Sequence, residues 1–393
     1  MRNIDTNWIF TQFIKFIPPL LFFSFIIKFC YLILFSNSNK TDFLVFWYAS
    51  LWAAEGKASA LYEITGFPSD VIESGGLHFP IGWFNSPSML LVSLPFSFLP
   101  YTISIFVWLS TTLLFYVSVV KRISPHSLTL WLVLGFPATL INIGYGHNGF
   151  LSAGLLGSGL ILLDKSAYLA GFLLGLLTYK PQLAALIPIA LIAGKKWKSL
   201  LAFFFSSALL IISSAAVFGL DTWIAFLKKI PIMTMFLEEG YFGWIVYRNK
   251  MSSIYAMMLH AGWSIEAARA IQGLVMCGLI CLVAIVWYKK IESPKREALL
   301  VLSILLFTPY LFEYDLTLLG LVIAWLGWDC LQKGFTLSDK ILLTIGWFAP
   351  LVSIITLKAI TLSMTPLVLI ILLYWVVRRS YTPFLFRLRS PEV

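Results

Sequence analysis

The chain has 393 residues, 60% of them hydrophobic and only 12% charged, with a mean hydropathy of +0.89 and a formal net charge of +10. That apolar content excludes a soluble domain of this size, and apolar runs that are continuous rather than alternating exclude a membrane barrel. The fold class is therefore an all-α polytopic membrane protein. The positive charge falls in short Lys/Arg clusters between the runs, which marks cytoplasmic loops rather than a nucleic-acid surface, so no nucleic-acid partner is expected.

In chain order, the first span is expected over 16–36, running from inside to outside. Arg2 and Lys15 precede it but no small-residue cleavage site follows, so it reads as a retained anchor rather than a signal peptide. Residues 37–84 form a long first extracytoplasmic loop carrying Trp47, Trp52, Tyr62 and Trp83. Within it, 43–54 and 69–73 read as amphipathic helices lying in the interface. Residues 86–120 are either two short spans broken at Pro95 and Pro100, or one long kinked crossing plus an interfacial piece. Lys121 and Arg122 favour one net crossing that ends inside.

Further spans are expected near 127–143, 149–163, 166–179, 181–194, 199–219, 264–288, 297–311, 315–330, 340–357 and 361–377. At ~20 residues per span the total is about a dozen crossings. Lys165, Lys195, Lys196, Lys289, Lys290, Lys333 and Arg378 then fall inside, with Asp42, His147, Lys180, the 220–263 loop and Asp315 outside. This places both termini in the cytoplasm and the chain in a cell inner or plasma membrane, as a single domain over 1–393. No internal repeat suggests a duplicated transporter. The four cysteines, Cys30, Cys277, Cys281 and Cys330, lie in apolar runs and read as packing residues, not as a disulfide framework.

Polar clusters interrupt the apolar runs at what this topology makes one face. Asp42, just past the first span, has two readings: a base that takes a proton from an attacking hydroxyl, or the N-cap of the next helix. The segment Gly144-Tyr145-Gly146-His147-Asn148-Gly149 offers close backbone approach and a helix N-terminus, with His147 able to hold a phosphate or a sugar hydroxyl. Lys180, in Tyr179-Lys180-Pro181-Gln182, is suited to neutralising a lipid-linked phosphate, the alternative being a snorkelling lysine. Glu313, Tyr314 and Asp315 break a later apolar hairpin, where they bind sugar or form its solvated tip. In the 220–263 loop, Arg248 and Lys250 are further phosphate contacts, or simply solvated charges. His78, His126 and His260 read as structural. No His/Cys spacing suggests zinc and no phosphate-binding Gly-rich loop is present, so no cofactor is expected, with a divalent ion left open. An apolar enzyme acting at the outer face needs a lipid-borne donor.

Taken in order, Thr41-Asp42-Phe43 through Tyr62, Phe84-Asn85-Ser86-Pro87, Gly144 through Phe150, Ala170-Gly171 through Gln182, Gly194-Lys195-Lys196-Trp197 and Thr308-Pro309-Tyr310 through Leu316 resemble glycosyltransferase family 87. The likeness covers about residues 41–330. It implies a GT-C-like helix bundle and an inverting transfer from a polyprenyl-phosphate sugar, with the first-loop aspartate as base, a role that falls on Asp42. The best-known members are mannosyltransferases, which makes mannose the first guess within a functionally broad family. Two positions depart from the family pattern: relatives commonly have Gln where this chain has His147, and Pro where it has Ser86.

The resulting expectation is a membrane glycosyltransferase moving a hexose or pentose from a polyprenyl-phosphate donor to a lipid- or glycan-linked acceptor hydroxyl at the extracytoplasmic face. Asp42 is its catalytic base. Lys180, His147 and Arg248 hold the donor phosphate, and Asn148, Gln182, Tyr314, Asp315 and Glu313 bind sugar or acceptor. The rival is a lipid-linked sugar flippase, which needs polar groups through the bilayer depth and a path open to both sides.

Overall fold

A computed structural model describes residues 6–35, 41–63, 83–239 and 248–387. The helices are α1 (Thr6–Phe35), α2 (Phe43–Ala54), α3 (Pro87–Ser97), α4 (Tyr101–Ile123), α5 (Thr129–Leu134), α6 (Pro137–Tyr145), α7 (Gly149–Leu162), α8 (Ala167–Leu176), α9 (Pro181–Ala184), α10 (Ile187–Ala193), α11 (Trp197–Phe218), α12 (Leu220–Glu239), α13 (Ile254–His260), α14 (Ile265–Tyr288), α15 (Lys295–Phe307), α16 (Thr317–Lys333), α17 (Leu337–Ile360) and α18 (Thr365–Arg387). Short 3₁₀ turns lie at Ser59–Tyr62, Leu177–Tyr179 and Glu313–Leu316. Among the described residues there is no β-strand, only an isolated antiparallel bridge between Met251 and Phe312. The chain is an all-α membrane protein.

Six described helical stretches are long and apolar enough to cross a membrane: Gln12–Phe35, Tyr101–Ile123, Trp197–Phe218, Ile265–Tyr288, Glu313–Lys333 and Leu337–Ile360. Residues 86–120 contain one helix long enough to cross a membrane, preceded by a short one. Pro100 separates a short helix, α3, from a full-length α4, while Pro95 is accommodated inside α3. The 220–263 segment is not an open loop over its described part. It is mostly the 20-residue helix α12 and the short α13. Helix α2 has the expected bounds but does not simply lie in the interface: Phe43, Leu44, Phe46, Ala49, Ser50 and Ala53 are buried against the bundle. Residues 69–73 and His78 lie outside the described residues. Of the cysteines, only Cys330 is buried, whereas Cys277 and Cys281 are exposed on α14 and do not pack in the core.

In lipid, apolar side chains gain little by leaving their surroundings, so helix association rests on close packing, which small residues permit. Gly171 and Gly175 of α8 serve this purpose. A Cβ at either would fall 2.0 Å and 2.2 Å from the carbonyl oxygens of Ser199 and Phe203 in α11, so the two backbones touch. Helices α7 and α15 are the most thoroughly buried, and α16 packs against both at the centre of the bundle.

The basic end of the bundle is tied by ion pairs. Asp164, after α7, meets Lys196 at 2.5 Å and Arg296 at 3.1 Å, and Arg296 also meets Glu297 at 2.6 Å. The Lys196 hydrogen bond holds the Asp164 carboxyl below the usual carboxylate range. At the opposite end the apolar runs break into short pieces, and there the polar clusters converge.

Candidate active site

Three breaks in helical structure build the site, each with a local cause. After α6 the chain turns at Gly146, whose φ of +66° lies in the left-handed region. A Cβ there would lie 2.7 Å from both the Phe43 Cβ and the Thr41 Oγ1, so the turn rests directly on the start of α2. Pro181 opens α9 and disfavours helical geometry in the residue before it. Lys180 accordingly takes φ −126° and ψ 77° and leaves the helical path. The third break is the segment before α16. It pairs with residues 250–252 through Ser252 N–H to the Leu311 carbonyl at 2.7 Å and Glu313 N–H to the Lys250 carbonyl at 3.1 Å.

These breaks surround a cavity of about 300 Å³, with Asp42, His147, Lys180, Gln182, Lys250 and Tyr314 among its lining. Asp42 precedes α2 but its carboxylate does not cap that helix. Instead it faces Lys250, whose Nζ donates to Oδ2 at 3.1 Å and to Oδ1 at 3.4 Å. Both side chains are partly exposed, and the Lys250 ammonium also lies 4.5 Å from the centre of the Tyr145 ring.

Lys180 is buried. Its Nζ donates to Asp315 Oδ1 at 2.5 Å and to Asn148 Oδ1 at 3.3 Å, and sits 4.6 Å from the centre of the Tyr314 ring. Asp315 also accepts the Phe312 N–H at 3.3 Å. His147 stacks on Tyr314 with ring centres 3.6 Å apart, and its Nδ1 lies 2.9 Å from Asn148 Oδ1. Because that oxygen also accepts from Lys180, the His147 proton belongs on Nδ1, which leaves Nε2 as an acceptor. Burial, reinforced by the Lys180 charge, pushes the His147 pKa well below its usual value.

A family model describing glycosyltransferase family 87 matches residues 83–309, more than half of the chain. The chain belongs to glycosyltransferase family 87. It is a membrane glycosyltransferase. No curated protein and no solved structure matches it.

Of the residues singled out in the sequence of this glycosyltransferase, Asp42, His147, Lys180, Gln182 and Tyr314 line one cavity, and Asn148 bridges two of them from behind. Asp315 is withdrawn behind Lys180 as its counter-ion. Glu313 lies behind Tyr145, accepting that phenol's hydroxyl at 2.9 Å. Neither acid is part of the lining. Arg248 turns elsewhere: its Nη1 donates to the Glu238 carbonyl at 3.2 Å, in a cluster where Glu238 also meets Tyr255 and Arg269. Sequence reading chose Arg248 for the donor phosphate; it is Lys250, two residues on, that lines the cavity beside Asp42, and Arg248 does not.

Ser86, one of the departures from the family pattern, has a visible use. Its hydroxyl donates to the Tyr179 carbonyl at 2.9 Å and pins the residue before Lys180. Among the described residues no group of three or more His, Cys, Asp or Glu is gathered as a metal site.

Proposed function

We propose that this glycosyltransferase moves a sugar, mannose being the first choice among hexoses and pentoses, from a polyprenyl-phosphate donor to a hydroxyl of a lipid- or glycan-linked acceptor. The observation that carries the reading is the cavity's composition: one accessible carboxylate, two lysines, and an apolar wall. Phe226, Ile230 and Met233 of α12 supply that wall, and the same helix exposes Ile224 and Leu227 on its outer side. A polyprenyl tail can follow α12 into the bilayer while its phosphate enters among Lys180 and Lys250. A nucleotide-sugar would leave the apolar wall without a partner.

In the proposed step the acceptor oxygen attacks the anomeric carbon as its proton passes to Asp42. The bond between that carbon and the phosphate oxygen breaks on the opposite face, giving inversion, and the electron pair leaves with the polyprenyl phosphate. Phosphate is already a good leaving group, so no acid is needed. Lys180 and Lys250 stabilise the charge that grows on it. His147, neutral with Nε2 as acceptor, takes a hydrogen bond from a sugar hydroxyl rather than binding phosphate. Gln182 and Tyr314 complete the sugar's surroundings. Asn148, Asp315 and Glu313 act behind the lining, on His147, Lys180 and Tyr145.

The Lys/Arg-rich loops at the end opposite this cavity support a reaction at the extracytoplasmic face of the inner or plasma membrane, with both termini in the cytoplasm. The chain would act over 1–393 as a single catalytic unit. The test is transfer of label from a panel of radiolabelled polyprenyl-phosphate sugars to membrane-lipid acceptors, with Asp42→Asn as control. Label in a new product that disappears in the variant supports the reading. A folded enzyme that transfers from none of the donors but flips them would replace it with the flippase.

A further inference from the structure

A cavity larger than the one at Asp42 opens at the other end of the molecule. It encloses about 790 Å³ between α1, α4, α5, α16 and α17, within the roughly 300–1,000 Å³ typical of ligand sites. Along α16 it is lined from Gly320 to Leu331, eleven helical rises or about 16 Å. That is close to the depth of one leaflet's hydrocarbon, about 15 Å.

The two ends of this cavity differ in chemistry. The deep end is closed by Tyr116, Phe136 and Trp347, with the Tyr116 hydroxyl occupied by the Thr317 carbonyl at 3.0 Å and its ring stacked on Phe150. This floor separates it from the Asp42 site. The mouth carries Lys15 of α1, His126 between α4 and α5, and Lys340 in the first turn of α17, together with Ser124 and Ser127. No carboxylate is among the described residues that line it. The Nδ1 of His126 accepts the Leu128 N–H at 3.2 Å, so the ring proton resides on Nε2, a donor. The mouth lies at the basic end, where Lys121 and Arg122 close α4 and Lys333 closes α16.

An apolar shaft one leaflet deep, with a cationic, donor-rich mouth at the headgroup level, matches one ligand: a lipid whose tail fills the shaft and whose anionic headgroup meets the mouth. We propose that this cavity holds one acyl chain of an anionic glycerophospholipid from the leaflet at the basic end, its phosphate contacted by Lys15, His126 and Lys340. The lipid would clamp α1 to the bundle, since α1 supplies one wall and half of the cationic pair. Gly327 offers a clean way to block the shaft. It lines the cavity, and a Cβ built there meets nothing within 4 Å.

The experiment is native mass spectrometry of the full-length, delipidated protein titrated with dioleoyl phosphatidylglycerol or dioleoyl phosphatidylcholine. The expected result is one retained phosphatidylglycerol per chain at a concentration at least 10-fold lower than phosphatidylcholine requires. Gly327→Phe should abolish that retention. Lys15→Gln combined with Lys340→Gln should bring phosphatidylglycerol to the phosphatidylcholine level.

Each variant is scored only if its lipid-free melting temperature matches the parent. Should Gly327→Phe misfold, the lysine pair decides, because both side chains sit at the mouth. Equal retention of the two lipids by the parent, or unchanged selectivity in the double lysine variant, overturns the proposal. Displacement of phosphatidylglycerol one-for-one by polyprenyl phosphate also overturns it, assigning the shaft to the donor's tail. None of these variants touches Asp42, so the outcome is independent of the proposed transfer reaction.

Discussion

Two Lys–Asp pairs flank the cavity at Asp42, and they differ in what surrounds them. Lys180 and Asp315 are 5% and 1% exposed and meet at 2.5 Å, with Asn148 and the Tyr314 ring completing the enclosure of the ammonium. Lys250 and Asp42 are 23% and 27% exposed and meet at 3.1 Å, over the Tyr145 ring. Both pairs hang on the same segment. Residues 311–313 bond the backbone beside Lys250, and Asp315 lies two residues further on. A sealed pair in a low-dielectric interior cannot part without stranding a charge, whereas a pair in contact with solvent exchanges partners at small cost. The buried pair is thus a fixed post. In the proposed reaction the open pair keeps the carboxylate available, because the donor's phosphate would draw Lys250 away from Asp42.

Substitutions sharpen this contrast, beginning with the largest effect. Asp42→Asn should lower kcat for sugar transfer by about 10²–10⁴, or ~3–5 kcal/mol of barrier, with an unchanged melting temperature. Appreciable transfer by the variant would remove the chemical half of the comparison. Next comes Asp315→Asn, which should cost about 3–5 kcal/mol of stability in thermal or denaturant unfolding by leaving Lys180 buried without its counter-ion. Adding Lys180→Met should restore much of that stability while donor binding stays lost. If the double variant is no more stable than the single one, the pair is not the fixed post described.

Lys250→Gln should leave folding intact and reduce kcat/KM about 10–100-fold, matching the ~1.5–3 kcal/mol of a hydrogen bond to a charged group. An effect confined to melting temperature would make this second pair structural too. The smallest effect is expected for His147→Gln. A histidine whose pKa is pushed down is neutral through ordinary working pH, so its loss should change the rate by less than about 10-fold. The pH profile between about 6 and 8 should keep its shape. A limb that vanishes with the imidazole would mean the ring titrates during turnover.

Much of this was legible in the sequence, for identifiable reasons. Glycines, a proline and charges set in apolar runs announce breaks, and the breaks at Gly146, Lys180 and Asp315 do converge on one cavity. Helix α2 was legible to the residue because Asp42 and the Glu55-Gly56 pair bound an apolar run. Pairing was not legible. Lys180 and Asp315 are 135 positions apart, and only the bundle's topology makes one the counter-ion of the other. Nor could composition separate Arg248 from Lys250. The backbone bridge to residues 311–313 fixes Lys250, while Glu238 takes Arg248. Helix α12 was read as loop because Lys228, Lys229, Glu238 and Glu239 interrupt its apolar pattern. In the folded chain Lys229 reaches the Glu63 carbonyl at 2.8 Å and Glu238 is enclosed by Tyr255 and Arg269.

The brevity of the helices around Lys180 has a consequence for the surrounding lipid. Helix α8, which exposes Tyr168 and Leu169, has 10 residues, about 15 Å of length, against a hydrocarbon core of about 30 Å. Helices α9 and α10 are shorter still. Annular lipids on this flank must compress towards the protein, lowering the water boundary until a polar headgroup reaches the cavity beside Asp42 without its tail being lifted from the bilayer. Membrane thickness thereby becomes a variable of the enzyme: reconstituted into bilayers of progressively longer acyl chains, it should turn over more slowly as the mismatch grows.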